Sequence, residues 1–295
     1  MRVATHSGSF HADEVFALAV LRAVHGAENV EIVRTRDRDL HAAADLRVDV
    51  GHRYDPATGD FDHHQRGGAG ERPNGIRYAS FGLVWKAFGV QACGGDEVTA
   101  RFVEEVLVQG IDANDTGQTI ATPVVEGVAI MGVSGVIGGF NPTWEEPEDD
   151  ATVDARFHEA LALAEGVLAR EIRGAAATAR AQEIVARCVA ASADPRIVEL
   201  DRSLPWMRAV HAHAPEALYV LAPKSAGWGV QAVQAVPGQF ANRKDLPEAW
   251  AGLEHEALQE VTGVPDAVFC HAARFLAVAR SREGAMALAR AAVDA

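Results

Sequence analysis

Seven of the twelve histidines in this 295-residue chain fall within its first 64 residues, and they gather where short apolar runs stop. Four groups carry the pattern. His6-Ser-Gly-Ser-Phe-His11-Ala-Asp13-Glu14 follows the β-leaning run Arg2-Val3-Ala4-Thr5. Asp49-Val50-Gly51 closes the run that begins at Leu46. Asp62-His63-His64-Gln65 stands just after the turn signal Asp55-Pro56-Ala57-Thr58-Gly59. Asp112-Ala-Asn-Asp115 follows a helical stretch that the pattern ends near Gly110. Acids and imidazoles so far apart in sequence act together only in a fold that brings separate strand ends to one place. A largely parallel α/β sheet does this, because ligand sites form at the edge where the carboxyl ends of its strands converge.

The flanking periodicity agrees with such a fold. Val15, Leu18, Ala19, Leu21 and Ala23 predict a helix from about Asp13 to Val24, and Val30–Val33 and Leu46–Val50 read as strands. Residues 66–75, RGGAGERPNG, form a Gly-rich loop directly after the densest His group. Helices are predicted over 79–89 and 96–109, and residues 132–150 read as irregular. From 153 to 191 the chain is rich in Ala, Leu, Glu and Arg at helical spacing, until Asp194-Pro195 ends it. Strands follow at 196–200, 218–221 and 230–236, with helices near 247–260 and 283–293. The reading is an α/β N-terminal domain over 1–150, a helical linker over 151–194, and a smaller α/β or α+β C-terminal domain over 195–295.

The formal net charge of -14 argues against broad electrostatic binding to nucleic acid or an anionic membrane. It leaves room for a local basic groove, and bound cations would offset the part of it that is a carboxylate cluster. Cys93, Cys188 and Cys270 are far apart and form neither a disulfide framework nor a metal motif, which fits a reducing compartment. With no leader pattern at the N-terminus and no apolar run near the ~20 residues of a membrane span, a cytoplasmic protein is expected.

Mixed imidazole and carboxylate donors suit a mid-series divalent ion, Mn²⁺ first, with Mg²⁺, Zn²⁺ or Co²⁺ as alternatives. The donors exceed the needs of one ion, so a pair about 3.5–4 Å apart is expected, clamping a phosphoryl oxygen and lowering the pKa of a bridging water to give a hydroxide nucleophile. Single residues also have plainer readings. Asp13 can be a helix N-terminal acid, and Glu14 reads as only that. Asp49, inside an apolar strand, is harder to explain, since a buried carboxylate needs donors, a cation or a metal. His63 and His64, adjacent on a strand, would face opposite ways, giving one ligand and one residue with a second role. His25, His41 and His158 read as surface residues, and His211 and His213 as lying on a solvated helix. Trp144, Trp206, Trp228 and Trp250 read as packing residues, with base stacking as the alternative.

At these residues the sequence resembles the DHH phosphoesterase superfamily and, more closely, the melanocyte proliferating gene one family. The resemblance runs through nearly the whole chain. It includes the His6–Glu14, Val48–Gly51 and Asp62–Gln65 groups, Asn141-Pro142-Thr143-Trp144, Pro205-Trp206, Trp228-Gly-Val-Gln231, Arg243-Lys244 and Val268-Phe-Cys-His271. It implies a DHH-phosphoesterase-like N-terminal domain that holds the metals, with substrate gripped between the domains. One ion would take His6 or His11 with a shared Asp49. The other would take Asp13, Asp49, His63 and Asp112, with Asp115 as the rival for the last place. His64 would face the phosphate, and Asp62 would orient it. Arg243, Lys244 and His271 would contact substrate. His52 departs from the family, which usually has Gly there. The implied activity is 3′-to-5′ exonucleolytic hydrolysis of RNA or short oligoribonucleotides, with no membrane partner and a homo-oligomer left open. The alternatives are a hydrolase of a small phosphoester or dinucleotide, and a non-enzymatic, metal-stabilised binding protein. Protein hydrolysis is disfavoured, because neither an HExxH helix nor a Ser or Cys nucleophile arrangement is present.

Overall fold

The computed structural model describes all 295 residues, and the chain divides into two compact units, Met1–Ala177 and Thr178–Ala295. In the first unit, β1 (Arg2–Thr5), β2 (Glu31–Arg34), β3 (Leu46–Val48), β4 (Tyr54–Asp55) and β5 (Asp60–Phe61) form one sheet in the order β2-β1-β3-β5-β4. All neighbours pair in parallel except β4, an antiparallel edge strand on β5. Parallel neighbours need a crossover between them, and α1 (Ala12–His25) supplies the one from β1 to β2. Its residues Ala12 to Leu21 are all buried, as expected of a helix that is apolar nearly all round. It packs on α3 (Ser80–Ala92), where the Phe16 and Phe81 rings meet at 5.4 Å. The short α2 (Arg38–Ala42) lies between β2 and β3.

The helix read as ending near Gly110 continues past it. α4 (Glu97–Val103) passes through a π-helical stretch, Glu104–Val108, into α5 (Gln109–Asp115). Each π turn inserts one residue and rotates everything after it. α6 (Val133–Gly138) interrupts the segment read as irregular.

The segment read as a linker is most of α7 (Asp150–Ala191), a single helix of 42 residues. Val153, Phe157, Ala160, Leu161, Ala164 and Leu168 bury one stripe of it in the first unit. Its last turns, through Val185, Cys188 and Val189, belong to a core of the second. The helix is thus the long helical linker, with its first turns in one unit and its last in the other.

The second unit is a mixed sheet of β6 (Ile197–Glu199), β7 (Tyr219–Lys224), β8 (Gly227–Ala232), β9 (Ala267–Cys270) and β10 (Leu276–Ala279), in the order β6-β7-β8-β10-β9. Only β6 and β7 pair in parallel. Its helices are α8 (Met207–His213), α9 (His255–Thr262) and α10 (Arg282–Asp294). Along β7 the side chains alternate between two cores, Tyr219 and Leu221 in one, Val220 and Ala222 in the other, the period-two pattern of a sheet covered on both faces. Trp206 and Trp250 are buried in these cores, whereas Trp144 is 87% exposed. No helix is long and apolar enough to cross a membrane.

Candidate metal centre

The residue after β1 is His6, the residue after β3 is Asp49, and the residues after β5 are Asp62, His63 and His64. Three parallel strands thus deliver their terminal side chains to one edge. Asp49 has φ +58° and His52 φ +52°. Aspartate tolerates this left-handed region better than most residues. At position 52 a left-handed backbone suits glycine better than the histidine present here.

Asp49 lies at the centre of the edge. Its Oδ2 is 3.3 Å from His6 Nε2, and its Oδ1 is 3.4 Å from His63 Nε2 and 3.3 Å from His64 Nδ1. The Ser80 hydroxyl donates to the same Oδ1 at 3.0 Å. Glu14 accepts the His11 backbone N–H at 2.8 Å and brings the same Oε1 within 3.2 Å of His6 Nε2. Asp13 is fully buried, and neither of its oxygens has a hydrogen-bond donor. His63 Nε2 stands 3.0 Å from Asp115 Oδ2 and 4.0 Å from Asp13 Oδ2. It is nonetheless in hydrogen-bond geometry with neither. That nitrogen sits among carboxylates without aligning on any one, as a ligand sharing a central cation does.

The charge states follow from this crowding. Burial pushes the Asp13 carboxyl well above its usual range, and Asp49, Glu14 and Asp115 push it further. Burial works to raise Asp49 as well, but the close imidazoles of His6, His63 and His64 hold it well below the carboxylate range. Burial pulls His6 down, yet Asp49 and Glu14 lift it to about 10. His63 rises to about 9 against its burial, through Asp115 and Asp49. Asp49 and Asp62 raise His64 to about 10. In the protein alone, imidazolium protons neutralise Asp49, while Asp13 is pushed toward keeping its own proton. Divalent ions would replace those protons, because a ligating imidazole must be neutral.

The residues fit such ions. Three overlapping sets have ligand atoms within 4.8 Å of one another: His6, His11, Glu14 and Asp49; Asp49, His63 and His64; His11, Asp13 and Asp115. A fully buried carboxylate without donors is costly in the absence of a cation, so Asp13 is the most direct sign of one. The centre opens on a cleft of about 1320 Å³.

Asp62 is engaged elsewhere. Its Oδ1 accepts His64 Nδ1 at 2.8 Å and the His64 N–H at 3.0 Å, and its Oδ2 accepts the His52 N–H at 2.5 Å. His63 and His64 do not face opposite ways; their rings lie 4.2 Å apart, because β5 ends at Phe61 and strand alternation stops there. The two still differ: the His63 side chain is 10% exposed and that of His64 51%.

Of the fourth group, Asp115 and not Asp112 belongs to one of the three sets. Asp112 accepts Arg72 Nη2 at 2.8 Å and the Gly82 N–H at 2.9 Å, with no exposure. Arg72 also pairs with Glu104 and lies 4.1 Å from the centre of the Tyr78 ring. Burial pushes Asp112 up to about 7 against the pull of Arg72. A Cβ on Gly82 would lie 1.9 Å from Asp112 Oδ2, so the approach requires glycine. Asp112 is thus held in a buried ion pair, and Asp115, one turn on, stands at the cluster instead.

Glu14 is the residue that the sequence reading set aside as a first-turn acid. Its position three residues after His11 was the available signal: a Glu at the third helical position reaches back to the N-cap backbone, and here that places it beside His6. In the second unit, the cations expected on substrate are engaged by the protein. Arg243 Nη1 donates to Ala214 O at 2.7 Å and Ala217 O at 2.9 Å, and Lys244 Nζ donates to Val293 O at 2.8 Å. His271 is exposed, and its Nδ1 accepts the Ala273 N–H at 3.0 Å.

Residues 2–293 match the MYG1_exonuc family model, described as uncharacterised protein family UPF0160. Relatives agree along their length. The chain is 33% identical over 321 residues to "MYG1 exonuclease" of Homo sapiens, covering 98% of this chain and 85% of that protein. It is 32% identical over 317 residues to a MYG1 protein of Schizosaccharomyces pombe, covering 100% and 98%. RecJ of Thermus thermophilus, solved in complex with Mg²⁺, is a distant structural likeness, with a TM-score of 0.29 and 13% identity over 100% of this chain and 50% of that one. The chain belongs to the MYG1 family.

Proposed function

We propose that this member of the MYG1 family is a metal-dependent phosphodiesterase, a 3′-to-5′ exonuclease acting on RNA or short oligoribonucleotides with two divalent ions, Mn²⁺ first among them. The observation that carries the reading is Asp13, a fully buried carboxylate with no donor, set among Asp49, His63 and Asp115 where the strand ends line a cleft. The human relative's name, "MYG1 exonuclease", supports the reaction class. Bound divalent ions supply charge against a phosphoryl oxygen and a water of lowered pKa.

The chain's own residues divide the remaining work. Asp13, Asp49, His63 and Asp115 would hold one ion, and His6, His11, Glu14 and Asp49 the other. His64 ligates neither in this scheme. Asp62 fixes its Nδ1 side at 2.8 Å, which leaves Nε2 to donate to a phosphate oxygen as negative charge develops there. Asp62 is in turn fixed by the His52 N–H, so it orients the histidine and does not titrate in the reaction.

Purified protein with Mn²⁺ is expected to release mononucleotides from a short RNA, and the Asp62→Ala/His63→Ala/His64→Ala variant is expected not to. Equal activity in the two would end the assignment. A second reading keeps the centre and takes a dinucleotide or other small phosphoester. The net charge of -14 and the engagement of Arg243 and Lys244 by carbonyls favour it. Turnover of a dinucleotide and a long strand at two salt concentrations separates the readings, since only a long polyanion shows a steep salt dependence.

A further inference from the structure

An anionic substrate must approach a cleft whose floor carries Asp13, Asp49 and Asp62. Four arginines line the same cleft, and two of them are already neutralised. Arg47 is held by Asp60 and by the Ala44 carbonyl at 2.7 Å, and Arg53 by Asp55. Arg36 and Arg38 remain. Both are exposed, and neither meets a carboxylate.

Their placement is fixed by backbone and not by chance surface position. They follow β2, the strand beside the one that delivers His6. The Thr35 N–H donates to Thr5 O at 2.8 Å, continuing that pairing past the end of the strand. His41 Nε2 lies 2.9 Å from Thr35 O, and the Thr35 hydroxyl accepts the Asp37 N–H at 3.1 Å. The intervening acids do not cancel the arginines at the cleft. Asp37 turns to the Asp39 N–H at 2.8 Å, and neither Asp37 nor Asp39 lines the cleft. The Arg36 guanidinium reaches the loop between His6 and His11: a Cβ on Gly8 would lie 3.8 Å from its Nη2.

We infer that Arg36 and Arg38 hold the phosphodiester backbone of the substrate strand beside the scissile phosphate, the role that the family resemblance implies for Arg243 and Lys244. The inference rests on the exonuclease reading above. Arginine suits it, because its planar fork meets two phosphate oxygens at once. In a chain of net charge -14 the two form a local cationic wall that faces the substrate and leaves the rest of the surface repulsive.

The test measures binding of a fluorescently labelled short RNA to Mn²⁺-loaded protein in a His64→Ala background, across a salt series, together with kcat and KM in the wild-type background. The Arg36→Gln/Arg38→Gln variant is expected to bind at least ~10-fold more weakly and to flatten the slope of log K against log salt by about 1.4, the share of two single-strand phosphate contacts. Its loss of turnover is expected to fall on KM more than on kcat. Arg36→Lys/Arg38→Lys is expected to recover most of the slope, since lysine keeps the charge. Both variants are expected to melt with the parent, as the side chains are exposed. An unchanged affinity and slope in the Gln variant, with a parent that binds and cuts RNA, would overturn this inference and leave the exonuclease reading standing. A wild type that neither binds nor cuts RNA would overturn that reading and this inference with it.

Discussion

In the first turn of α1, Asp13 is buried with no donor on either oxygen, while in the second unit Arg243 and Lys244 are met by the backbone carbonyls of Ala214, Ala217 and Val293. Both regions carry charged residues in family-like motifs, so residue type does not separate them. Satisfaction does. Buried polar groups are nearly always partnered within the protein. On the proposed reading, the two cations serve the fold of the second unit and the bare carboxylate of the first takes a cation from solution. Asp112 and Asp115 repeat the lesson within one helix, the first closed on Arg72, the second facing His63.

The contrast is broken most sharply at Asp49. Asp49→Asn is expected to lower turnover by about three orders of magnitude, several kcal/mol of barrier, measured as initial rate on a short RNA with Mn²⁺. A loss under tenfold would place the reaction elsewhere. Next in size is Arg72→Met, which strands the buried Asp112 carboxylate and is expected to cost about 3–5 kcal/mol in denaturant unfolding. Asp115→Asn is expected to weaken metal binding with little change in that unfolding, the reverse of Arg72→Met. Arg243→Gln is expected to cost about 1.5–3 kcal/mol of stability through its lost carbonyl contacts, with KM for RNA unchanged; a raised KM would return this residue to the substrate.

The smallest effect is a pH dependence. His6, His63 and His64 have folded pKa values raised from 6.5 to about 10, 9 and 10. A raised histidine stabilises the fold in full below 6.5, and that stabilisation is lost as pH climbs through 9 to 10. Asp13, also raised, acts in the same direction, because the folded state holds its proton longer than the unfolded chain does. The metal-free protein is therefore expected to lose roughly 5 °C of melting temperature across this range. Divalent ions take the place of the protons, so the shift they produce is expected to grow with pH. A melting temperature that rises with pH in metal-free protein would contradict the assigned charge states.

Much of the first unit was legible because its signals are local. α1, β2 and the start of β3 lie within a residue or two of the periodic runs that predict them, and His6, Asp49, Asp62, His63 and His64 stand at strand ends as read. The choice between Asp112 and Asp115 was not legible. It depends on the π-helical stretch Glu104–Val108, which turns α5 out of the register that a 3.6-residue period carries forward. Arg72, from the Gly-rich loop, completes that choice across 40 residues of sequence. The carbonyl partners of Arg243 and Lys244 were hidden for the same reason, since they lie 26 to 49 residues away. β9 and β10, the unbroken apolar runs AVFC and LAVA, cannot be told from buried helix by period alone.

The most direct test is a crystal grown with Mn²⁺ and measured at the manganese absorption edge. Two anomalous peaks are expected, about 3.5–4 Å apart on either side of Asp49, with Asp13, His63 and Asp115 among the ligands and Asp112 still on Arg72. An empty strand edge, or a peak ligated by Asp112, would contradict a catalytic metal centre built from the groups the fold leaves unpaired.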